Sequence, residues 1–360
     1  MKTENMKNPL YIGIYEFLRE KIVSGAYAYG ARLPSKRELA AEKNVSVITV
    51  EHAYGLLSDE GYIESRERSG YFVIYRDSDF NSSVRGERAE ISKNEAPAPH
   101  TYEFPYSVLA KTMRRVMLDY DKRILQKSPN AGCDELRHAI AQYLKRSSGI
   151  NVDKKQIVIG SGAEYLYSLI AQLFGKDRIF ALEKPSYSII RRVYEVSGVK
   201  CEMLKMGADG IRSSELARSR ASVLHVTPFN SYPSGVTAGA TKRREYIAWA
   251  KARGGYIIED NYDSEMTVST KNEDTLFSLS DDENIIYLNT FSKTISRSIR
   301  VGYMVLPKKL LGVFEEKLGF YSCTVPVFEQ YVLAELISSG DFERHINRVR
   351  RAKRKNNKEK

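Results

Sequence analysis

The stretch 157-IVIGSGAEYLYSLI-170 carries the decision about the fold. A short β-branched run enters a turn containing Gly160 and Gly162, and an apolar pattern of helical period follows. Strand, glycine-rich turn and helix in that order turn the backbone amides of Gly162 and Ala163 toward whatever lies at the helix start, a geometry suited to a phosphate. Further along, DRIFALE, SVLHVTP, GYIIED, NIIYLNT and GYMVLP repeat the short β-branched run, each separated from the next by helical stretches. Strands alternating with helices from about residue 101 onward predict an α/β domain with a mainly parallel sheet.

The 360 residues are enough for two domains, and a 42% apolar, 28% charged composition is that of a globular chain. No apolar run approaches the ~20 residues that span a bilayer, and MKTENMKNPL is no signal peptide, so a cytoplasmic protein without membrane contact is expected. Cys133, Cys201 and Cys323 have neither CxxC nor Cys/His spacing, which predicts neutral thiols and no metal site. The net charge of +11 is uneven: residues 1–75 hold ten basic and ten acidic side chains, whereas the last twenty hold nine basic and three acidic. Total charge therefore does not locate a nucleic-acid site.

Ahead of the α/β pattern, residues 8–75 form their own unit. Ile14, Leu18 and Ile22 space an apolar stripe for a first helix. In 33-LPSKRELAAEKN-44, Ser35 caps a second helix with Glu38 three residues on, a capping box. Ser46 caps a third, 47-VITVEHAYGLLSDEG-61, with its stripe at Val50, Tyr54 and Leu57, and 62-YIESRERSGYFVIY-75 alternates like two strands around a polar turn. This is a winged helix-turn-helix. Its third helix would enter the major groove through Ser46, Val47, Ile48 and Thr49, with His52 one turn later. Ser35, Lys36 and Arg37 are candidates for phosphate contact, and Arg66, Arg68 and Ser69 are the wing's candidates. The polar, Pro-containing stretch 76–100 reads as a linker, and residues 341–360 as a solvated basic helical tail.

Within 101–340 the sequence supplies what one aldehyde cofactor, pyridoxal 5'-phosphate, demands of a protein. Lys293, in 289-NTFSKTISRSIRVGY-303, is the amine for a Schiff base. Asp260, ending 257-IIEDNYD-263, can hold a protonated pyridine nitrogen, and Tyr262 can reach the ring hydroxyl. Tyr187 in EKPSY can stack on the ring, and Asn230 in TPFNSYPSG can stand beside it. Thr290 and Ser292 flank the lysine, and Arg300 can clamp the phosphate together with Gly162 and Ala163. Each piece alone fits a cap, a turn or a surface lysine. Their order along the chain is what points to the cofactor.

The segments LPSKRELA and NVSVITVEHAYGLLSDEGYIESRERSGYFV resemble the GntR family of bacterial transcription regulators, except that Val47 stands where arginine is common. EDNYDSE, NTFSKT, RVGYMVLP and VPVFEQYVLAELISSGDFERHINRVRR resemble the fold-type I aminotransferase body of MocR-type regulators. The resemblance implies a winged helix-turn-helix plus a transferase-like large domain, a head-to-tail homodimer, operator DNA as partner, and pyridoxal phosphate or a small amino compound as effector. It also implies a small C-terminal domain that is largely missing here, together with the arginine that grips a substrate carboxylate; Arg191, Arg192 and Arg297 stand at poor positions to replace it. The family's longer segment after Phe104 is absent too. A regulator without sustained turnover is therefore the expectation, against a working aminotransferase with a DNA-binding head or a cofactor-free dimerisation scaffold.

Overall fold

The computed structural model describes residues 10–67, 69–76, 103–266, 274–280 and 284–356. The expected linker, apart from Arg76, and the wing residue Arg68 lie outside the described residues. The chain divides into two compact units, 1–96 and 97–360.

In the first unit, α1 (Leu10–Val23), α2 (Lys36–Lys43) and α3 (Val47–Asp59) precede the antiparallel pair β1 (Ile63–Arg66) and β2 (Gly70–Val73). The expected caps are present. The Ser35 side chain accepts from the Glu38 amide while Glu38 accepts from the Ser35 amide, and the Ser46 side chain accepts from the Thr49 amide. Such caps satisfy helix-end amides that would otherwise lack partners, at about 1 kcal/mol each. The apolar stripes meet as one core of Ile14, Leu18, Ile22, Leu39, Val50, Tyr54, Leu57, Ile63 and Val73. Buried Tyr54 donates its hydroxyl to the Pro34 carbonyl at 2.6 Å, fixing α3 against the entry to α2.

The second unit runs α4 (Tyr106–Tyr120), α5 (Asp134–Ser148), β3 (Ile157–Gly160), α6 (Ala163–Phe174), β4 (Ile179–Lys184), α7 (Ser188–Val196), β5 (Lys200–Lys205), α8 (Ser213–Arg218), β6 (Val223–Val226), α9 (Ala240–Ala252), β7 (Tyr256–Asp260), α10 (Leu276–Leu279), β8 (Ile285–Thr290), β9 (Gly302–Val305), α11 (Lys308–Leu318), α12 (Val327–Ser338) and α13 (Asp341–Asn356). Its seven-stranded sheet has the order β3-β9-β8-β7-β6-β4-β5, and only β9 opposes both its neighbours. Side chains alternate across the strands, so each face has its own helical layer. Ile258, Ile286, Leu288 and Met304 pack with Leu166 and Ile170 of α6, Tyr194 of α7 and Phe314 of α11. On the other face, Leu224, Ile257 and Ile285 pack with Tyr246 and Trp249 of α9, while Ile159, Tyr287 and Tyr303 meet residues of α5, α12 and α13.

Residues 341–356 depart from the solvated tail expected of them. Phe342, His345, Ile346 and Val349 are buried at helical spacing, the Phe342 ring meets Tyr143 edge-on, and Arg350 Nε donates to the Glu265 carbonyl at 2.7 Å. The basic composition of the stretch hid a regular apolar stripe. Gly132 shows how tightly the layers close: its φ is +102°, and a Cβ placed there would overlap Ile159 of β3. Gly132→Ala is expected to destabilise the second unit by at least about 2 kcal/mol, through left-handed strain and overpacking. Denaturant unfolding of the purified variant measures this, and an unchanged midpoint would contradict the packing described.

Candidate functional site

Strands β4, β6, β7 and β8 are mutually parallel neighbours, so their carboxyl ends share one edge of the sheet. Ligand sites of open α/β sheets form at that edge. A cavity of about 390 Å³ lies there. Ala163, Tyr187, Asp260, Tyr262, Thr290, Ser292, Lys293 and Arg300 all line it, so most of the residues singled out in the sequence meet around one space. Gly162 adjoins them: a Cβ on it would come within 3.0 Å of Arg300 Nη2, and its φ of +92° suits glycine. Gly162 is also the cap residue of α6 and brings no side-chain hydrogen bond, so the helix's first amides have no side-chain cap.

Lys293 Nζ is 3.3 Å from Asp263 Oδ1 and 4.2 Å from the centre of the Tyr262 ring. Asp260 is 2% exposed. Its Oδ2 accepts the Tyr167 hydroxyl and lies 3.6 Å from His225 Nε2, and its Oδ1 is 3.3 Å from the Tyr262 amide. His225 is steered by Tyr194, whose hydroxyl is 2.8 Å from Nδ1. Arg300 pairs with Glu164 at 3.3 Å.

Asn230 and Arg297 sit otherwise than their chain positions suggested. Asn230 is not among the cavity's lining residues: its side-chain amide donates to Asp263 at 2.5 Å, and its carbonyl accepts the Tyr262 hydroxyl at 3.1 Å. Both Asn230 and the Tyr262 hydroxyl therefore brace the loop that holds Asp263. Arg297, judged badly positioned from sequence, lines the cavity. Tyr167, Glu164, Asp263 and His225 were not anticipated. Helical spacing offered a signal for Tyr167, which follows Ala163 by one turn and so shares its face. Nothing local marked His225, which arrives through strand pairing.

On the first unit, Ser46, Val47, Ile48 and His52 are exposed on α3 and Thr49 is half-buried. Lys36 is held by Glu51 at 2.5 Å, Ser35 serves its cap, and Arg37 is exposed. Arg66 pairs with Glu64 at 2.7 Å and lies over the Phe72 ring, while Ser69 Oγ donates to the Glu67 carbonyl at 3.3 Å.

A mainly parallel seven-stranded sheet, with a lysine and a buried aspartate lining one cavity at its carboxyl edge, defines the second unit as aminotransferase-like, and the first is a winged helix-turn-helix. Comparison with known proteins agrees. Residues 10–73 match the family described as bacterial regulatory proteins, gntR family, and residues 94–359 match aminotransferase class I and II. The chain is 32% identical over 357 residues to the HTH-type transcriptional regulator YdeL of Bacillus subtilis (strain 168), covering 96% of this chain and 77% of the relative. It is 28% identical over 367 residues to the probable rhizopine catabolism regulatory protein MocR of Rhizobium meliloti, covering 95% and 74%. The fold of the kynurenine aminotransferase of Pyrococcus horikoshii superposes with a TM-score of 0.64 at 24% identity, over 69% of this chain and 64% of that one, so the chain spans less than two thirds of that structure. The protein belongs to the MocR-type family of transcription regulators, in which a GntR DNA-binding domain is fused to an aminotransferase class I and II domain. Among the described residues no helix is long and apolar enough to cross a membrane, and no cluster suited to a metal ion occurs.

One buried acid at this edge has a measurable signature. Burial pushes the Glu183 carboxyl, at the end of β4, up to about 8 against the opposing hydrogen bonds of Ser231 and Thr227. An unfolded glutamate titrates near ~4.3, so between about pH 5 and 8 the folded protein keeps a proton that the unfolded chain has lost. Stability from Glu183 is therefore complete at acid pH and declines as pH rises through that window. Glu183→Gln is expected to flatten this decline in denaturant midpoint; parallel pH profiles for the two proteins would refute it.

Proposed function

We propose that this chain is a cytoplasmic, homodimeric DNA-binding transcription regulator whose second unit binds pyridoxal 5'-phosphate through Lys293 and responds to the cofactor or to an amino compound that displaces Lys293. The observation that carries this reading is the meeting of Lys293, buried Asp260 and the uncapped start of α6 on one cavity. When bound, the cofactor supplies an aldehyde that condenses with primary amines and a ring that draws electrons from the attached carbon.

The residues fit that group. Gly162 leaves a cradle that a side chain would fill, between the α6 amides and Arg300, and both are phosphate donors. Asp260 Oδ2 is engaged by Tyr167, whereas Oδ1 meets the Tyr262 amide alone and keeps acceptor capacity for a protonated ring nitrogen. Tyr187, 44% exposed on the cavity wall, offers an aromatic face, and Thr290 and Ser292 flank the lysine. Asp263 is within reach of the proton that Lys293 must lose to act as a nucleophile. Two copies paired head-to-tail would carry two winged heads, and a change in the bodies would alter their spacing on DNA.

The purified protein, reconstituted with pyridoxal phosphate, is expected to show a visible absorption band that Lys293→Ala abolishes. A wild-type protein that stays colourless would overturn cofactor binding and leave the body a dimerisation scaffold. Footprinting the protein's own upstream region with and without cofactor and amines tests the regulatory half. A second reading, a working aminotransferase, draws support from Arg297, whose guanidinium borders the cavity where a substrate carboxylate could meet it. Sustained amino-group transfer to a keto acid, lost in Arg297→Gln, would favour it.

Glu164 gives a sharper test of the phosphate end. Its pair with Arg300 is about half exposed on both sides, so it contributes no more than about 1 kcal/mol and competes with any phosphate. Glu164→Gln is expected to tighten cofactor binding up to about fivefold, most at low salt, in a spectroscopic titration. Unchanged affinity would argue against Arg300 as the phosphate's partner.

A further inference from the structure

Helix α3, whose start enters the major groove in winged helix-turn-helix proteins, has an unusual outward face. Its thirteen residues, VITVEHAYGLLSD, contain neither lysine nor arginine. Val50, Ala53, Tyr54 and Leu57 are buried, which turns Val47, Ile48, Glu51 and His52 outward. Val47 is 41% exposed and Ile48 64%, and both sit in the first turn.

Ser46 and Glu51 beside them are already engaged, and His52 lies against an aromatic ring. Ser46 Oγ accepts the Thr49 amide and lies 2.8 Å from Thr49 Oγ1. Glu51 is neutralised by Lys36 at 2.5 Å, and His52 meets the Tyr11 ring edge-on at 5.8 Å. Guanine is read in the major groove by a bidentate arginine or lysine, and adenine by asparagine or glutamine; this face offers none of them. What it offers is two branched apolar side chains. The one apolar group that a base pair exposes in the major groove is the 5-methyl of thymine.

We propose that Val47 and Ile48 read thymine 5-methyl groups, so that operator choice at the centre of each half-site rests on apolar contact rather than on hydrogen bonds to guanine. Phosphate contact by exposed Arg37 supplies sequence-independent affinity around it. The assignment rests on the family's DNA binding and is independent of cofactor loading.

Replacing thymine by deoxyuridine removes the methyl and leaves every hydrogen-bonding group in place. Sites are selected from a random duplex library with the full-length protein, and the affinity of the selected site is measured with each thymine replaced in turn. At one or two thymines the replacement is expected to weaken binding about three- to fivefold, as burial of one methyl group implies. Val47→Ala or Ile48→Ala should erase the dependence at its own thymine while leaving phosphate-driven, salt-dependent binding intact. Both positions are exposed and alanine is the better helix former, so the variants are expected to fold. Equal affinity for thymine and deoxyuridine at every position overturns the assignment, as does a methyl dependence that survives both alanine variants. Failure to retain any duplex overturns it together with DNA binding itself, and so is distinguishable from loss of methyl dependence alone.

Discussion

A carboxylate cannot be buried without partners, and the second unit is organised around that constraint at Asp260. An ion in a low-dielectric interior costs several kcal/mol unless hydrogen bonds and charges compensate it. Here hydrogen bonds come from Tyr167 of α6 and from the Tyr262 amide, and the His225 ring of β6 stands 3.6 Å away. Each partner must arrive at one point, which fixes the placement of α6 on the sheet and the register of β6 against β7. The pairing of His225 with Ile258 sets how far His225 stands from the end of β7. Lys293 is handled differently: its side chain is 46% exposed, and a single ion pair with Asp263 suffices. The buried acid is locked and the lysine is left reachable, which suits a fixed electrostatic partner and a group that exchanges partners.

Much of this was legible from residue order. The caps at Ser35 and Ser46 are local chemistry, so the Ser35/Glu38 spacing and a serine ahead of a helical apolar stripe predicted them directly. The strands announced themselves as β-branched runs, and their parallel arrangement followed from the intervening helices. Asp260, Thr290 and Lys293 sit at or just beyond strand ends, so locating the strands located them. Resemblance to aminotransferases then gave the set a common purpose that no single residue could.

What escaped depends on distance in sequence. His225 and Tyr167 reach Asp260 only after the sheet has assembled, and a histidine inside the run SVLHVTP carries no sign of its partner. Asn230 looked like a cavity residue because it lies in a strand-end loop. Its left-handed backbone, with φ of +51°, accompanies a side chain turned toward Asp263 instead. Arg297, set aside from sequence as a poor substitute for a carboxylate-gripping arginine, could not be placed on the cavity wall from its chain position alone. The chain after Thr294 turns before β9, and four residues beyond Lys293 it borders the same cavity.

The C-terminal helix α13 changes where part of the protein's charge is held. Arg350 and Lys353 donate to the carbonyls of Glu265 and Met266, just past the loop that holds Asp263. Arg146 of α5 is matched by Glu343 at 2.6 Å. These cations fasten α13 to its neighbours, and others in the last turn of α13 face the negative end of their own helix dipole. The formal +11 survives these contacts, since a bond to a neutral carbonyl discharges no cation; what they fix is where part of that charge is held.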